Sequence, residues 1–346
     1  MPTTHPEFDQ HVNGLSVAAA FSEQVQNKII LITGANADGI GGATMMALAK
    51  QAPKLLIAAG RNVGKVRKLI EIIQAAHPQV AIRALELDLS SQASCRAAAA
   101  EILTDDTIPQ LDIIINNAGV MNIPQRQFSH ERIEMHFAVN HIGHFLFTNL
   151  VMPKLQHAAR ASPPDSVRIV NVASRGTIYG PVRFSDWNFD KEANELPLEE
   201  RPDFEAMAAA HTIVPGAYNP MVAYSQSKTA NILLSVGLTR RLQKDFGIMS
   251  LAVHPGVVET ELTRHAAEEM KVAAERLKAK GFFFKTPAQG AATQLVAALD
   301  PALGPADGFL SDCQIADWAP QWSTDLATAD RLWKLSEQLV GQSFEY

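Results

Sequence analysis

The chain has 346 residues, of which 47% are hydrophobic and 19% are charged, the composition of a globular protein with a large core. Its formal net charge of -6 argues against a nucleic-acid or anionic-membrane partner, and no apolar run reaches the roughly 18 residues of a membrane span. Two cysteines, Cys95 and Cys313, are too few for a disulfide framework or a CxxC metal site. We therefore expect a cytoplasmic protein with two reduced packing cysteines.

Residues 1–27 precede the first strand pattern. Met1–Gly14 is polar, contains two prolines and lacks the basic-then-apolar layout of a secretory signal. It is expected to be a disordered or loosely docked tail, followed by a leading helix. The length would allow two average domains, but no repeat or linker divides residues 28–346, and one domain with insertions is the better prediction.

Short apolar runs alternate with longer helical patterns along the chain. Helices are predicted for Gly39–Gln51, for a segment ending at Ile73 and for Tyr224–Leu242. Strands are predicted at Lys28–Thr33, Lys54–Ala59, Ala81–Leu87, Leu111–Ile115, Val167–Val172, Met249–Val253 and Gly308–Cys313. Continuous apolar strands separated by helices are typical of an α/β fold with a doubly wound parallel sheet of the Rossmann type.

A glycine-rich loop follows the first strand, from Thr33 to Gly42, and a helix pattern begins directly after it. Glycines let the backbone approach a pyrophosphate, and a helix N-terminus offers free N–H groups to it. The alternative is a plain strand-to-helix turn. The position in the first βαβ unit favours dinucleotide binding, and the expected contacts are Gly34, Asn36, Gly39, Ile40 and Gly41.

The end of the second strand distinguishes NAD from NADP, because an acidic residue there would bind the ribose 2′-hydroxyl. This chain instead has Arg61, with Lys65 one turn later. Arg61 is expected to pair with a 2′-phosphate, although a solvated surface arginine is the alternative. Asp88-Leu89 ends the third strand, where the carboxylate could accept from an adenine amino group or simply cap a helix.

Three further residues have a chemical logic as a group. Tyr224 and Lys228 are four apart on one helix and therefore share a face. Carbonyl reduction needs a proton donor, and a lysine ammonium beside a tyrosine would lower the pKa of its phenol. Ser174, after the fifth strand, could hold the substrate oxygen. The YxxxK pattern alone occurs by chance in many helices.

Together these motifs resemble the short-chain dehydrogenase/reductase family, from Lys28 to about Cys313. Within that family, VNHIGHFLFTNL and YSQSKTANILLSVGL are similar to the retinol-dehydrogenase-like branch. The chain is expected to lack the N-terminal membrane anchor that many of those enzymes carry and to be more similar to their soluble relatives, including fungal ones. Besides the residues above, the resemblance rests on Asn117, Ala118, Gly119, Asn140 and the His254-Pro255-Gly256 stretch.

The resemblance implies a role for each matching residue. Tyr224 would donate or accept the proton, Ser174 would orient the substrate oxygen, and Lys228 would bind the nicotinamide ribose. Asn140 would hold a water that links Lys228 to a proton relay. The adenosine side would be lined by Asn117, Ala118 and Gly119, and the nicotinamide would be bordered by Pro255, Gly256, Val257 and Thr260. The implied cofactor is NADP(H), and no metal is expected.

Two features depart from the family pattern. Gly34 and Gly39 enclose four residues, one more than usual, and these include the acidic Asp38. Ser174 and Tyr224 are separated by 49 residues, much more than usual. The insertion, at about residues 186–220, mixes apolar and charged residues and is expected to be structured, to form one wall of the substrate pocket and to cover the helix that begins at Tyr224. Monomeric carbonyl reductases resemble this arrangement, so a monomer or dimer is expected.

The leading functional hypothesis is an NADPH-dependent reductase of a small-molecule ketone or aldehyde. Two alternatives remain open: the same enzyme oxidising an alcohol with NADP⁺, and a non-catalytic cofactor-binding regulatory protein. A second irregular segment, about residues 261–286, is expected to form a substrate lid. Phe282, Phe283 and Phe284 are its pocket candidates, with core packing as the alternative.

Overall fold

The computed structural model describes residues 2–210, 212–213, 216–259, 275, 278 and 283–346. Its strands are β1 (Ile29–Thr33), β2 (Leu55–Gly60), β3 (Ile82–Glu86), β4 (Ile113–Asn116), β5 (Val167–Val172), β6 (Ile248–His254), β7 (Phe309–Ser311) and β8 (Gln314–Ile315). They form one sheet in the order β3-β2-β1-β4-β5-β6-β7-β8. All neighbours from β3 to β7 are parallel, and β8 is antiparallel to β7. The predicted doubly wound, single-domain α/β fold is confirmed.

Helices cover both faces of this sheet. They are α1 (Gly14–Ala20), α2 (Ser22–Val25), α3 (Ile40–Ala49), α4 (Val63–Ala76), α5 (Gln92–Thr104), α6 (Met135–Phe137), α7 (Gly143–Leu150), α8 (Met152–Ala159), α9 (Phe204–Ala209), α10 (Pro220–Phe246), α11 (Pro287–Leu299), α12 (Gln321–Thr324) and α13 (Leu326–Val340). Successive side chains of β1 enter opposite layers, because strand side chains alternate. Ile29 and Leu31 pack with α5, α7 and α10, whereas Ile30 and Ile32 pack with α1, α3 and α11.

The seventh predicted strand is shorter than expected. β7 ends at Ser311, and Asp312 and Cys313 take positive φ angles of 50° and 67° in the turn that leads into β8. β8 was not predicted from the sequence, since two residues carry no periodicity. Both cysteines are buried and free, as expected.

The N-terminal segment is ordered, and the expectation of a disordered or loosely docked tail is wrong for residues 2–14. The Thr4 amide donates to Asp300 at 2.8 Å, and the Gln314 side chain donates to the Phe8 carbonyl at 2.7 Å. Asn13 then caps α1, which packs so closely on α11 that a Cβ at Gly14 would lie 3.0 Å from a side-chain carbon there. Phe8 and Val12 of this segment also pack against the core.

The insertion before Tyr224 is structured, as predicted, in its described residues. Phe189 and Met207 are buried against the first turn of α10, at Val222 and Ala223. Arg183 and Asp186 form a buried ion pair at its base. Three other apolar residues of the insertion are exposed: Leu198 at 78%, Phe204 at 49% and Ile213 at 54%. The sequence could not separate these from the anchors, because the segment has no regular period.

Some residues that were expected to border the cofactor or the substrate lie elsewhere or are not described by the structure. Thr260, Phe282 and most of the predicted lid lie outside the described residues. Phe283 contacts His11 of the N-terminal segment, with the ring centroids 4.6 Å apart and the ring planes tilted by 57°. In the described part of the chain, no helix is long and apolar enough to cross a membrane.

Candidate active site

A cleft of about 700 Å³ opens at the carboxyl ends of β1 to β4. The sheet order reverses between β1 and β4, the position where open α/β sheets bind ligands. Ten residues predicted to bind a cofactor share this cleft: Gly34, Asn36, Gly39, Ile40, Arg61, Asp88, Leu89, Asn117, Ala118 and Gly119. The cleft is therefore large enough for a dinucleotide-sized ligand and lies where the sequence placed one.

The glycine loop needs its glycines for close backbone packing. Gly34 has a φ of +70°, and a Cβ there would lie 2.7 Å from the Ala118 Cα. Gly41 does not line the cleft but packs beneath it, since a Cβ would lie 2.6 Å from the Gly34 oxygen. Gly39 begins α3 without a side-chain cap, so the α3 amides remain available to an anion. Asp38 is exposed and does not cap the helix.

Two basic residues line the cleft at the end of β2. They are Arg61 and Lys65, and both are exposed. Asn62 between them caps α4, accepting from the Lys65 amide at 3.0 Å. Asp88 accepts from the Ser90 amide at 2.9 Å, so its carboxylate has a structural role in the turn as well as a place in the cleft.

Thr33 and Asn117 join the ends of β1 and β4. The Thr33 hydroxyl accepts from the amides of Asn117 and Ala118, both at 3.0 Å. The Asn117 carboxamide donates back to the Thr33 carbonyl at 2.9 Å. Because the side chain of Asn117 is occupied in this way, it shapes the floor of the cleft.

The predicted catalytic residues converge beside this cleft. Tyr224 and Lys228 lie on α10 with the Lys228 Nζ 5.8 Å from the centre of the tyrosine ring, and the ammonium donates to the Val172 carbonyl at 2.8 Å. Ser174 follows β5 and accepts from the Gly176 amide at 3.1 Å. A Cβ at Gly176 would lie 3.2 Å from the tyrosine ring. The main chain that follows Ser174 therefore packs directly against Tyr224.

Burial controls the protonation of the pair. It raises the pKa of Tyr224 to about 12, with a hydrogen bond to Ser174 acting in the opposite direction. It lowers the pKa of Lys228 to about 7. The expectation that Lys228 lowers the tyrosine pKa is therefore wrong, because desolvation raises that pKa and the opposing effect comes from the Ser174 hydrogen bond.

Asn140 lies in a π-helical segment, Ala138–Ile142, between α6 and α7. Its carboxamide accepts from the Val120 amide at 2.8 Å and donates to the Val120 carbonyl at 3.0 Å. It also donates to the Ser227 hydroxyl at 2.8 Å, and Ser227 donates to the Tyr224 carbonyl at 2.7 Å. Asn140 thus ties the loop after β4 to the helix that carries Tyr224.

The loop after β6 lies apart from the main cleft lining. Gly256 has a φ of +91°, and a Cβ there would lie 2.6 Å from the Lys285 side chain. Lys285 is buried, pairs with Asp312 at 2.6 Å and donates from its amide to the Val257 carbonyl at 2.8 Å. Pro255, Gly256 and Val257 are thus held by a lysine that the sequence analysis missed.

Two histidines near the site were also missed. His136 is fully buried, its Nδ1 lies 2.7 Å from Glu134, and its ring is edge-on to Tyr224 with centroids 6.2 Å apart. His144 lies between Thr33 and Asn140. The spacing of His144, four residues after Asn140, was the available sign, since i and i+4 residues share a helix face.

The fold and these residues define an oxidoreductase of the short-chain dehydrogenase/reductase family, and the chain belongs to that family, in its retinol-dehydrogenase-like branch. The short chain dehydrogenase profile matches residues 28–188. The chain is 35% identical to retinol dehydrogenase 12 of Mus musculus over 323 residues, 93% of this chain and 89% of that protein. It is 36% identical to an oxidoreductase of Fusarium equiseti over 249 residues, 72% of this chain and 94% of that protein.

Solved structures agree on the fold. An uncharacterized protein from Mycobacterium paratuberculosis superimposes with a TM-score of 0.64 at 26% identity, covering 93% of this chain and 96% of that one. The NADPH-bound carbonyl reductase from chicken fatty liver gives a TM-score of 0.58 at 20% identity, covering 85% and 95%. Family membership supports a nicotinamide cofactor for this chain.

Proposed function

We propose that this protein is an NADPH-dependent reductase that transfers hydride to the carbonyl carbon of an apolar ketone or aldehyde, with Tyr224 as the proton donor. The observation that carries the proposal is the convergence of Tyr224, Ser174 and Lys228 at the carboxyl edge of β5. A protein that only bound the cofactor would not need these three groups together.

The cofactor fits the residues of the main cleft. The Gly34–Gly42 loop leaves no room for side chains where a pyrophosphate would approach α3, and Arg61 and Lys65 would hold a 2′-phosphate by charge-assisted hydrogen bonds. When bound, the reduced nicotinamide supplies the hydride. Lys228 would hold its ribose, and the loop at Pro255, Gly256 and Val257 would border its ring.

The protein's own groups manage the proton and the substrate oxygen. Burial keeps the pKa of Tyr224 near 12, so the phenol is protonated at neutral pH, which is the form a reductase requires. The phenol would donate its proton to the oxygen as the carbon is reduced, and the Ser174 hydroxyl would orient that oxygen. Asn140, held by Val120 and Ser227, would carry the water through which the phenolate regains its proton.

The oxidative direction, in which the same residues act on an alcohol with NADP⁺, is the second candidate. Microscopic reversibility gives both directions the same groups. The protonated phenol favours reduction, whereas oxidation would need the phenolate. We further propose that the protein acts in the cytoplasm on a small molecule.

The test is NADPH consumption by the full chain across a panel of apolar ketones and aldehydes, with NADP⁺ reduction by the matching alcohols in parallel. Carbonyl-dependent oxidation of NADPH supports the proposal. NADPH binding without turnover of any panel member would instead identify a binding protein on a reductase fold.

A further inference from the structure

His144 is a buried histidine that joins two parts of the site. It is fully buried on α7. Its Nε2 lies 2.8 Å from the Thr33 hydroxyl at the end of β1, and its Nδ1 lies 2.9 Å from the Asn140 carbonyl oxygen. One side chain therefore connects the strand that carries the glycine loop with the residue that braces the catalytic helix.

The neighbouring hydrogen bonds fix the direction of each proton. The Thr33 hydroxyl already accepts from the amides of Asn117 and Ala118, so it uses its own hydrogen to donate to the His144 Nε2. The Nε2 is then an acceptor without a proton, and the Nδ1 carries the hydrogen that His144 donates to the Asn140 carbonyl. The imidazole is neutral in this arrangement.

We propose that His144 is a positioning residue, which couples the geometry of the cofactor loop at Thr33 to the main chain of Asn140 and so to Tyr224 and Lys228. The proposal rests on the proposed function. A shift of the loop residues around a cofactor would be transmitted to α10 through a continuous series of hydrogen bonds. The series runs through the Asn117 and Ala118 amides, Thr33, His144, Asn140 and Ser227.

The local backbone explains why the Asn140 carbonyl needs this donor. The segment Ala138–Ile142 is wound as a π-helix, in which the Gly143 amide bonds to the Ala138 carbonyl five residues back. Such a bulge disturbs the α-helical bonding of the carbonyls within it, and bulges of this kind are common at functional sites. A side chain four residues later can then reach the carbonyl of Asn140 and hold it in one position.

The donor is stable over the working pH range. Burial lowers the pKa of His144 to about 4; the bond to the Asn140 carbonyl acts in the opposite direction, and the charge of Lys228 adds a smaller lowering effect. The imidazole therefore stays neutral and keeps its Nδ1 hydrogen at physiological pH. The same effect of Lys228 shows that the two side chains are electrostatic neighbours.

A kinetic double-mutant cycle tests the coupling. His144→Leu is expected to lower kcat by roughly 10- to 100-fold, because Asn140 loses its fixed position, with a much smaller change in the Kd for NADPH. His144→Asn, whose amide nitrogen lies near the place of Nδ1, should recover part of that loss. Combined with Thr33→Val, His144→Leu should lower kcat no further than the larger single loss. If the kcat losses of the two single variants multiply in the double variant, Thr33 and His144 act independently, and the proposal is overturned.

His141 supplies the matched control. It is a fully buried histidine of the π-helical segment, three residues before His144, and its Nε2 contacts Ser336 of α13. His141→Leu should lower stability and leave kcat of the folded protein unchanged. Equal kcat losses from His141→Leu and His144→Leu would show that His144 acts only through packing, which would overturn the proposal.

Nitrogen NMR of histidine-labelled protein tests the arrangement without turnover. His144, assigned by its loss in His144→Leu, should be neutral and protonated on Nδ1 from pH 8 to 6. A proton on Nε2, or an imidazolium at pH 6, overturns the proposal. A wild-type chain that reduces no carbonyl would overturn the proposed function, and these spectra would still decide the tautomer on which the coupling depends.

Discussion

Lys228 donates a hydrogen bond from Nζ to the main-chain oxygen of Val172, the last residue of β5, at 2.8 Å. The same burial that makes this bond strong lowers the pKa of the amine to about 7. The lysine is thus ready to lose a proton near neutral pH, before any ligand is present.

We expect the stability of the cofactor-free protein to rise with pH above neutrality. Between pH 7 and 10.5, the unfolded chain carries a proton on Lys228 that the folded chain has lost. This raises the free energy of unfolding by up to about 1.4 kcal/mol per pH unit, and the cost of the buried charge is fully present below pH 7. Above about pH 10, the raised pKa of Tyr224 acts oppositely, because the unfolded chain loses that proton first.

Urea unfolding at several values from pH 7 to 9.5 measures this slope. For Lys228→Met, the free energy of unfolding should depend less steeply on pH than for the wild type. Lys334→Met, at an exposed lysine of α13, should keep the wild-type slope. Identical slopes for the wild type and Lys228→Met would show that the buried amine does not titrate in this range.

Tyr224→Phe should abolish carbonyl reduction and leave the Kd for NADPH nearly unchanged. The ring still packs against Gly176, and only the proton donor is removed, which typically costs about 10²-fold or more. Tyr346→Phe makes the same chemical change at a tyrosine that contacts Asn149 and should keep full turnover. Retention of more than roughly a tenth of the wild-type rate by Tyr224→Phe would assign the proton to another group.

Arg61→Ala should reduce the preference for NADPH over NADH. An arginine–phosphate pair contributes roughly 1.5–3 kcal/mol, or about one to two orders of magnitude in affinity. Titration of both cofactors into the wild type, Arg61→Ala and the control Arg67→Ala measures this. Arg67 is an exposed arginine of α4 outside the cleft lining. Equal affinities of the wild type for the two cofactors would refute the role of Arg61.

The protein should be monomeric, with a mass near 37.6 kDa by light scattering at several concentrations. The first turn of α10 is covered by Phe189 and Met207. Its later turns are covered by α13, where the Arg241 guanidinium lies 4.1 Å from the centre of the Trp333 ring. Because these contacts cover α10, the helix leaves little area for pairing with a second copy of the chain. A stable tetramer would contradict this argument.

Most of the sheet could be predicted because its strands are buried on both faces. The run Ile29–Thr33 is fully buried and has the nearly continuous apolar character of a central parallel strand. The residues of the main cleft were predictable for a related reason. Their glycines, amides and acids stand at strand ends, and the ends of parallel strands meet at one edge.

What the sequence could not supply was the partner of each polar side chain. The His144 bonds to Thr33 and Asn140 join residues 111 and 4 positions apart, and only the folded chain brings the more distant one within reach. The pKa of Tyr224 was predicted in the wrong direction for a similar reason. The i, i+4 spacing showed that Lys228 lies on the same helix face as Tyr224. The extent to which both groups are buried depends on the whole tertiary structure.

The insertion should form one wall of the substrate pocket, because it holds the loop that follows β4. The Tyr218 hydroxyl donates to the Ile123 carbonyl at 2.8 Å, and Arg126 donates to the Asn188 carbonyl at 2.9 Å. Ile123 itself lines the main cleft. Movement of the insertion would therefore alter the cleft between Gly119 and Gln127, on the side where a substrate would enter.

Leu198→Ser, Phe204→Ser and Ile213→Ser, singly and together, test this wall with little effect on folding, since exposed substitutions usually change stability by no more than about 0.5 kcal/mol. We expect KM to rise for the more apolar carbonyls, with the Kd for NADPH unchanged. Leu326→Ser, at a leucine 53% exposed at the start of α13, is the matched control and should leave both constants unchanged. Deletion of about residues 194–214 should change substrate preference before NADPH affinity. If substrate preference is unchanged in both the triple variant and a folded deletion, the insertion does not form a wall of the pocket.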